Sequence, residues 1–127
     1  DLKAGEQVVV YNEDEKKFEL STVSDTPRNN NVTDKATIVL ENGITIEMNA
    51  YHPLLTTKGY HSLTEHEGLP LLTDKDILVT INGEIKIKQI VRETIEPITM
   101  YNLSVNGEHH NYVVNSVVAH NANCPIK

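Results

Sequence analysis

Along most of the chain, apolar residues fall at every second position, and no stretch carries the period of about 3.6 residues that marks an amphipathic helix. Gln7 to Tyr11 is short and Val-rich. After an acidic turn from Asn12 to Lys17 the alternation resumes through Phe18, Leu20 and Val23, which predicts a β-hairpin. Asp25 to Lys35, with Pro27 and three successive Asn residues, predicts a polar, mobile loop. Ala36 to Glu41 and Ile44 to Met48 flank Asn42-Gly43, whose tolerance of positive φ predicts a tight type I′ turn. Beyond Tyr51-His52-Pro53 the pattern predicts a strand at Leu54 to Thr57 and then a loop from Lys58 to Pro70 that holds His61 and His66. Ile77 to Ile81 and Glu84 to Arg92 form a hairpin around Asn82-Gly83, with Ile85, Ile87 and Ile90 on its buried side. Ile98 to Val105 and Tyr112 to Ala119 close the pattern across Asn106-Gly107. Short strands joined by Asn-Gly turns predict an all-β domain.

Slid against itself, the chain shows a weak internal repeat. Leu2, Glu6, Val8, Val9 and Asn12 fall on Leu72, Asp76, Leu78, Val79 and Asn82 at an offset of 70. Phe18 and Leu20 fall on Ile85 and Ile87 at 67, because the first hairpin has the longer turn. Each half continues into a second antiparallel pair, around Asn42-Gly43 and Asn106-Gly107. Such a repeat implies two similar β-subunits about a pseudo-twofold axis, with His52 from one half facing His109, His110, His120 and Asn121 from the other.

The 127 residues suffice for one domain with its own core. Against 18 acidic residues there are 11 basic ones, a net charge of -7, which disfavours nucleic acid as a partner. The basic pair Lys86 and Lys88 alternates with Ile85 and Ile87, as the wet face of a strand does. Cys124 is the single cysteine and can close no internal disulfide, so cysteine usage names no redox compartment. No apolar run approaches the roughly 18 residues of a membrane helix, and Asp1-Leu2-Lys3-Ala4-Gly5 lacks the shape of a signal peptide. A soluble chain without a membrane partner is expected. Six His residues and one Cys invite a metal reading. No pair has the spacing of a closed zinc site, and His109 and His110 would point to opposite faces of a strand. No functional metal and no cofactor are expected; Zn²⁺ at His120 and Cys124 would be adventitious and inhibitory.

The stretch from Tyr112 to Ala122 draws the chemistry together. A run of strand formers ends in His120-Asn121, followed by a small residue. An Asn side-chain amide can attack its own backbone carbonyl, closing a succinimide and cutting the bond after it, while a neighbouring His protonates the departing nitrogen. The same residues also fit a plainer reading, an Asn in a turn after a strand and a His with a surface or core role.

Four blocks in register resemble the Hint domain, the family that joins hedgehog autoprocessing domains, inteins and bacterial intein-like domains. Asp1-Leu2-Lys3-Ala4-Gly5-Glu6-Gln7-Val8 is similar to the family's Leu-Lys-x-Gly-Asp-x-Val segment. Gly43 to Thr57, with Asn49-Ala50-Tyr51-His52, resembles its Thr-x-x-His block. Leu72 to Val79 resembles its second Leu-x-x-Gly-Asp segment, with Asp74 or Lys75 where Gly is usual. Tyr101-Asn102-Leu103-Ser104-Val105, His110-Asn111-Tyr112 and Val118-Ala119-His120-Asn121 are similar to its C-terminal splicing blocks. The resemblance spans nearly the whole chain and implies an all-β Hint fold of two pseudo-twofold-related β-subunits over residues 1–121, with 122–127 as a tail like a C-extein.

The resemblance also implies the chemistry: single-turnover protein autoprocessing, here C-terminal cleavage by cyclisation of Asn121 with His120 as its acid and Ala122 as the scissile-bond neighbour. His110, and less strongly His109, corresponds to the family's downstream His, a candidate base; an imidazole that titrates near pH 6.5 serves either role. His52 would polarise an upstream scissile amide, with Asn49 in place of the usual Thr donor; without an upstream junction His52 becomes a structural corner. Several departures shape the expectation. The chain opens at Asp1 with no Cys or Ser nucleophile block ahead of the Leu-Lys-x-Gly segment, and Ala122 stands where splicing inteins carry Cys, Ser or Thr. That pattern favours cleavage over splicing. The bond between Asn123 and Cys124 offers an alternative cleavage point, but Ala122 then occupies the place of the His. His61 and His66 match no block. The short link from His52 to Leu72 leaves no room for a homing endonuclease. The expected partners are flanking polypeptides (exteins) or a complementary N-terminal intein segment, the chain otherwise acting as a monomer in a bacterial setting, cytoplasmic or within a larger exported protein. The alternative is a catalytically silent Hint-like module that binds the complementary strand.

Overall fold

The structure is a computed structural model that describes residues 3–64, 68–107 and 110–120, the side chains of Asn29 and Tyr101 excepted, and every regular element among them is a β-strand. In chain order these are β1 (Gln7–Asn12), β2 (Lys17–Asp25), β3 (Arg28–Leu40), β4 (Thr45–Asn49), β5 (Leu54–Thr56) and β6 (Gly59–His61). The second half adds β7 (Ile77–Thr80), β8 (Gly83–Tyr101), β9 (Ser104–Val105), β10 (Asn111–Val114) and β11 (Val117–His120). A three-stranded sheet has the order β1-β2-β9, and an eight-stranded sheet runs β10-β11-β5-β7-β8-β3-β4, with β6 beside β5 and a further pairing of β11 with β7.

The first hairpin pairs Gln7 with Thr22 through to Asn12 with Lys17. In β1 the alternation turns Val8 and Val10 into the core. In β2 it does so at Val23, whereas Leu20 is 67% exposed. β2 acquires its second neighbour only from Val23 onward, where Val23 meets Val105 and Asp25 meets Ser104, so Leu20 lies outside the doubly flanked part of the strand.

The segment from Asp25 to Lys35 is not a loop beyond its first residues: β3 begins at Arg28. Its polar composition is overridden by pairing with β8, from Arg28 opposite Tyr101 to Leu40 opposite Ile87. Val32 is buried there, and Thr99 Oγ1 donates to Asn30 Oδ1 at 3.1 Å. β8 in turn is continuous where two separate strands are expected. Pro97, which has no N–H to give, falls where the β3–β8 register slips between the Asp34–Thr94 and Val32–Ile98 pairs.

The turn types also differ from expectation. Asn42-Gly43 is not a type I′ pair, since of the two only Gly43 has a positive φ, 90°, and the connection spans residues 41–44, with Leu40 N donating to Ile44 O and Ile44 N to Asn42 Oδ1. The positive-φ pair that a type I′ turn requires is Asn115 at 46° and Ser116 at 72°, between Val114 and its partner Val117. It divides Tyr112 to Ala119, which reads as one strand, into the β10–β11 hairpin. Asn106-Gly107 joins no paired strands, because β9 belongs to β2 and β10 to β11. Within the expected loop from Lys58 to Pro70 the chain forms β6, which pairs with β5 across Gly59 at a φ of 110°.

The halves of the internal repeat exchange strands. β2 of the first half pairs with β9 of the second, and the near part of β8 pairs with β3 of the first, as a pseudo-twofold axis demands. One contiguous core results, in which Val8, Val10 and Val23 meet Ile38, Leu40, Leu54, Leu78, Ile87 and Val117.

Candidate functional site

β11 ends on His120. Its backbone pairs with β10 on one edge, His120 opposite Asn111, and with β5 on the other, Ala119 opposite Leu54. His120 N donates to Pro53 O at 3.2 Å, which ties it to the residue after His52. Flanked on both edges, the strand carries four buried residues in a row, and His120 is only 5% exposed.

The imidazole of His120 stands edge-on to Tyr60 of β6, with ring centroids 5.0 Å apart and planes at 84°. The Tyr60 hydroxyl donates at 3.2 Å to Glu13 Oε2, a residue of the β1–β2 turn. Burial pushes the Tyr60 phenol far above its ordinary range, and the Glu13 charge adds to the shift. Asn111 itself is fully buried: its Oδ1 accepts from Tyr11 N at 2.8 Å and its Nδ2 donates to Tyr11 O at 2.9 Å. The side-chain amide thus copies the pairing of a strand residue and joins β1 to β10, across the two sheets. His110 precedes it with a φ of 57°, a left-handed conformation that costs a non-glycine residue about 1–2 kcal/mol. The candidate base and the candidate acid stand at the same end of the β10–β11 hairpin.

His52 forms the second cluster. A turn after β4 presents it: Asn49 O accepts from His52 N at 2.9 Å, and Asn49 Oδ1 accepts from Tyr51 N at 3.1 Å, so the Asn49 side chain serves the turn. His52 Nδ1 lies 3.4 Å from Asn102 Nδ2, and its ring meets Tyr112 edge-on at 6.4 Å. Asn102 Oδ1 accepts from Tyr112 Oη at 2.5 Å and from Leu103 N at 2.8 Å. With the amide oxygen claimed by two donors, the face toward His52 is the NH₂ group, so neutral His52 accepts on Nδ1 and carries its proton on Nε2. Burial raises the Tyr112 phenol above its usual range.

The structure therefore brings His120, His110, His52 and Asn49 into one region through β10, β11 and the start of β5. Asn121, Ala122, Asn123, Cys124, His109 and His66 lie outside the described residues. His61 corrects the expectation of a loop residue: it is a buried strand residue whose Nδ1 lies 3.3 Å from Asp76 Oδ2, which also accepts from Thr73 N at 2.9 Å. Strand alternation turns His61 away from Tyr60 and toward Asp76, the second of two acidic residues in the Leu72 to Val79 segment. Among the described residues no group of three or more His, Cys, Asp or Glu stands close enough to hold a metal ion. Tyr60, Asn111 and the role of Asn102 escape sequence reasoning. Asn102 and Asn111 lie inside blocks that resemble the splicing blocks, but an Asn that serves a buried partner looks the same in sequence as one in a turn. Tyr60 carries no motif at all.

No family model matches the chain, and no curated protein sequence matches it. Solved structures do. The architecture is the Hint fold. A DnaB intein from Synechocystis sp. PCC 6803 is 25% identical at a TM-score of 0.72, covering 91% of this chain and 78% of the other. A bacterial intein-like domain from Clostridium thermocellum reaches a TM-score of 0.79 at 23% identity, over 95% of this chain and 85% of that one. The DnaX mini-intein of Spirulina platensis gives 0.68 at 19% identity over 91% and 81% of the two chains. The chain thus shares its all-β architecture with inteins and bacterial intein-like domains, which supports a self-processing role in general terms.

Proposed function

We propose that this chain is an autoprocessing Hint domain that cuts the peptide bond after Asn121. The Asn121 side-chain nitrogen attacks its own backbone carbonyl carbon and gives up a proton, for which His110 is the base. The carbon–nitrogen bond to Ala122 breaks, and His120 protonates the departing nitrogen. A C-terminal succinimide and a released amine are the products. The observation that carries the reading is the placement of His120: a buried imidazole at the end of a strand paired on both edges, one residue before the bond to be cut. Near pH 6.5 an imidazole exchanges protons readily in either direction. His52, with its proton on Nε2, is assigned to polarising an upstream amide when a segment precedes Asp1. The partners are flanking polypeptides on residues 1–121, or a complementary N-terminal segment added as a strand.

Mass spectrometry of the chain incubated near neutral pH, alone and with the upstream peptide, tests this. A product ending at residue 121 as succinimide or its hydrolysis product is expected. Asn121→Ala abolishes it, His120→Ala slows it by about 10²-fold or more, and Asn123→Ala leaves it unchanged. Cleavage that survives Asn121→Ala and vanishes in Asn123→Ala moves the site by two residues. A chain that never cleaves but binds the peptide is a silent strand-binding module.

A further inference from the structure

An imidazole at the end of a strand has two side-chain torsions to fix, and hydrogen bonds of the backbone fix neither. One neighbour that packs against His120 is a ring, Tyr60, at 5.0 Å and nearly perpendicular. Two elements in turn hold that ring. Its backbone is paired in β6, with Tyr60 opposite Leu55, and its hydroxyl donates to Glu13 Oε2 from the β1–β2 turn. Moving the Tyr60 ring thus gives up the hydroxyl bond to the β1–β2 turn and the edge contact with His120 together.

We infer that Tyr60 is a positioning residue for His120: its ring, pinned through the hydroxyl by Glu13, holds the imidazole in the orientation from which it serves the neighbouring peptide bond. The inference rests on His120 acting on that bond, as proposed above. Misplacement by about 1 Å is enough to cost on the order of 10²-fold in such a reaction, so the ring contact matters kinetically even though Tyr60 touches no reacting atom.

The test follows two readouts in the full chain, in wild type, Tyr60→Phe, Tyr60→Leu and Glu13→Gln. One is the rate of cleavage after residue 121 by mass spectrometry. The other is the NMR shifts of the His120 ring protons, which feel the Tyr60 ring current and require no turnover; His120→Ala assigns them. Tyr60→Leu is expected to move those signals strongly and to slow cleavage by about 10- to 100-fold. Tyr60→Phe keeps the ring without its pin to Glu13, so a smaller shift and a loss within about tenfold are expected, a partial rescue relative to Leu. Glu13→Gln, which keeps an acceptor, stays close to wild type. Where Tyr60→Leu fails to fold, Tyr60→Phe carries the comparison. Unmoved His120 signals, or wild-type rates in the folded Tyr60 variants, overturn the inference. A wild-type chain that never cleaves, with signals that shift as expected, overturns the cleavage reading and leaves the contact standing.

Discussion

Ser116 occupies a φ of 72° and Asn115 one of 46°, the left-handed region in which a side chain with a Cβ is crowded. Asn tolerates that region through its short polar side chain; Ser has less to offer. The strain is local and relievable, because glycine adopts positive φ without steric cost. Ser116→Gly is therefore expected to stabilise the domain by about 0.5–1 kcal/mol, as a higher urea midpoint at an unchanged m-value. The hairpin that it tightens is the one that ends on His120. A midpoint that falls instead would mean that the Ser116 hydroxyl does more than its backbone conformation suggests.

At the scale of elements, Asn111 holds β1 to β10. No backbone ladder joins these strands; one side-chain amide takes its place, satisfying both polar groups of Tyr11. Asn111→Ala leaves the Tyr11 N–H and C=O without that partner, and each buried group so abandoned costs about 1–3 kcal/mol. The expected result is a large loss of stability together with faster amide exchange at Tyr11, while exchange in β3 and β8 far from the link follows global stability alone. A variant whose Tyr11 amide stays as protected as before would show that water or a neighbour had replaced the link. β3 teaches a related lesson: three successive Asn residues predict a loop, yet the long partner β8 supplies a ladder that makes local polarity irrelevant.

Among the described residues two phenols stand one beside each His cluster, Tyr112 buried and Tyr60 half-buried. Both are pushed upward by burial, so each binds its proton more tightly in the folded than in the unfolded chain. That contribution is complete below about pH 10, the ordinary tyrosine value, and is lost as pH rises toward the folded values. Alkaline unfolding is expected, with phenolate absorbance and loss of the β-sheet circular dichroism rising in one transition. Tyr112→Phe, which cannot ionise, is expected to move that transition to higher pH relative to its own stability near neutrality. Phenolate formation well before the sheets are lost would contradict the burial of these side chains.

Alternation by two, the Asn-rich turns and the offset repeat were enough to read an all-β chain in two related halves, because a strand half-buried on one face writes its burial directly into residue order. The order of the blocks likewise named His52, His110 and His120 as candidates before any geometry. What residue order leaves open is the identity of neighbours. The exchange of β2 and β8 between halves, the continuation of β3 through a polar segment, the burial of His61 on Asp76 and the pinning of Tyr60 by Glu13 all join residues distant in the chain. Local composition carries no record of them, since a side chain's partner is set by which strands lie across from one another, and only the folded sheets bring those strands together.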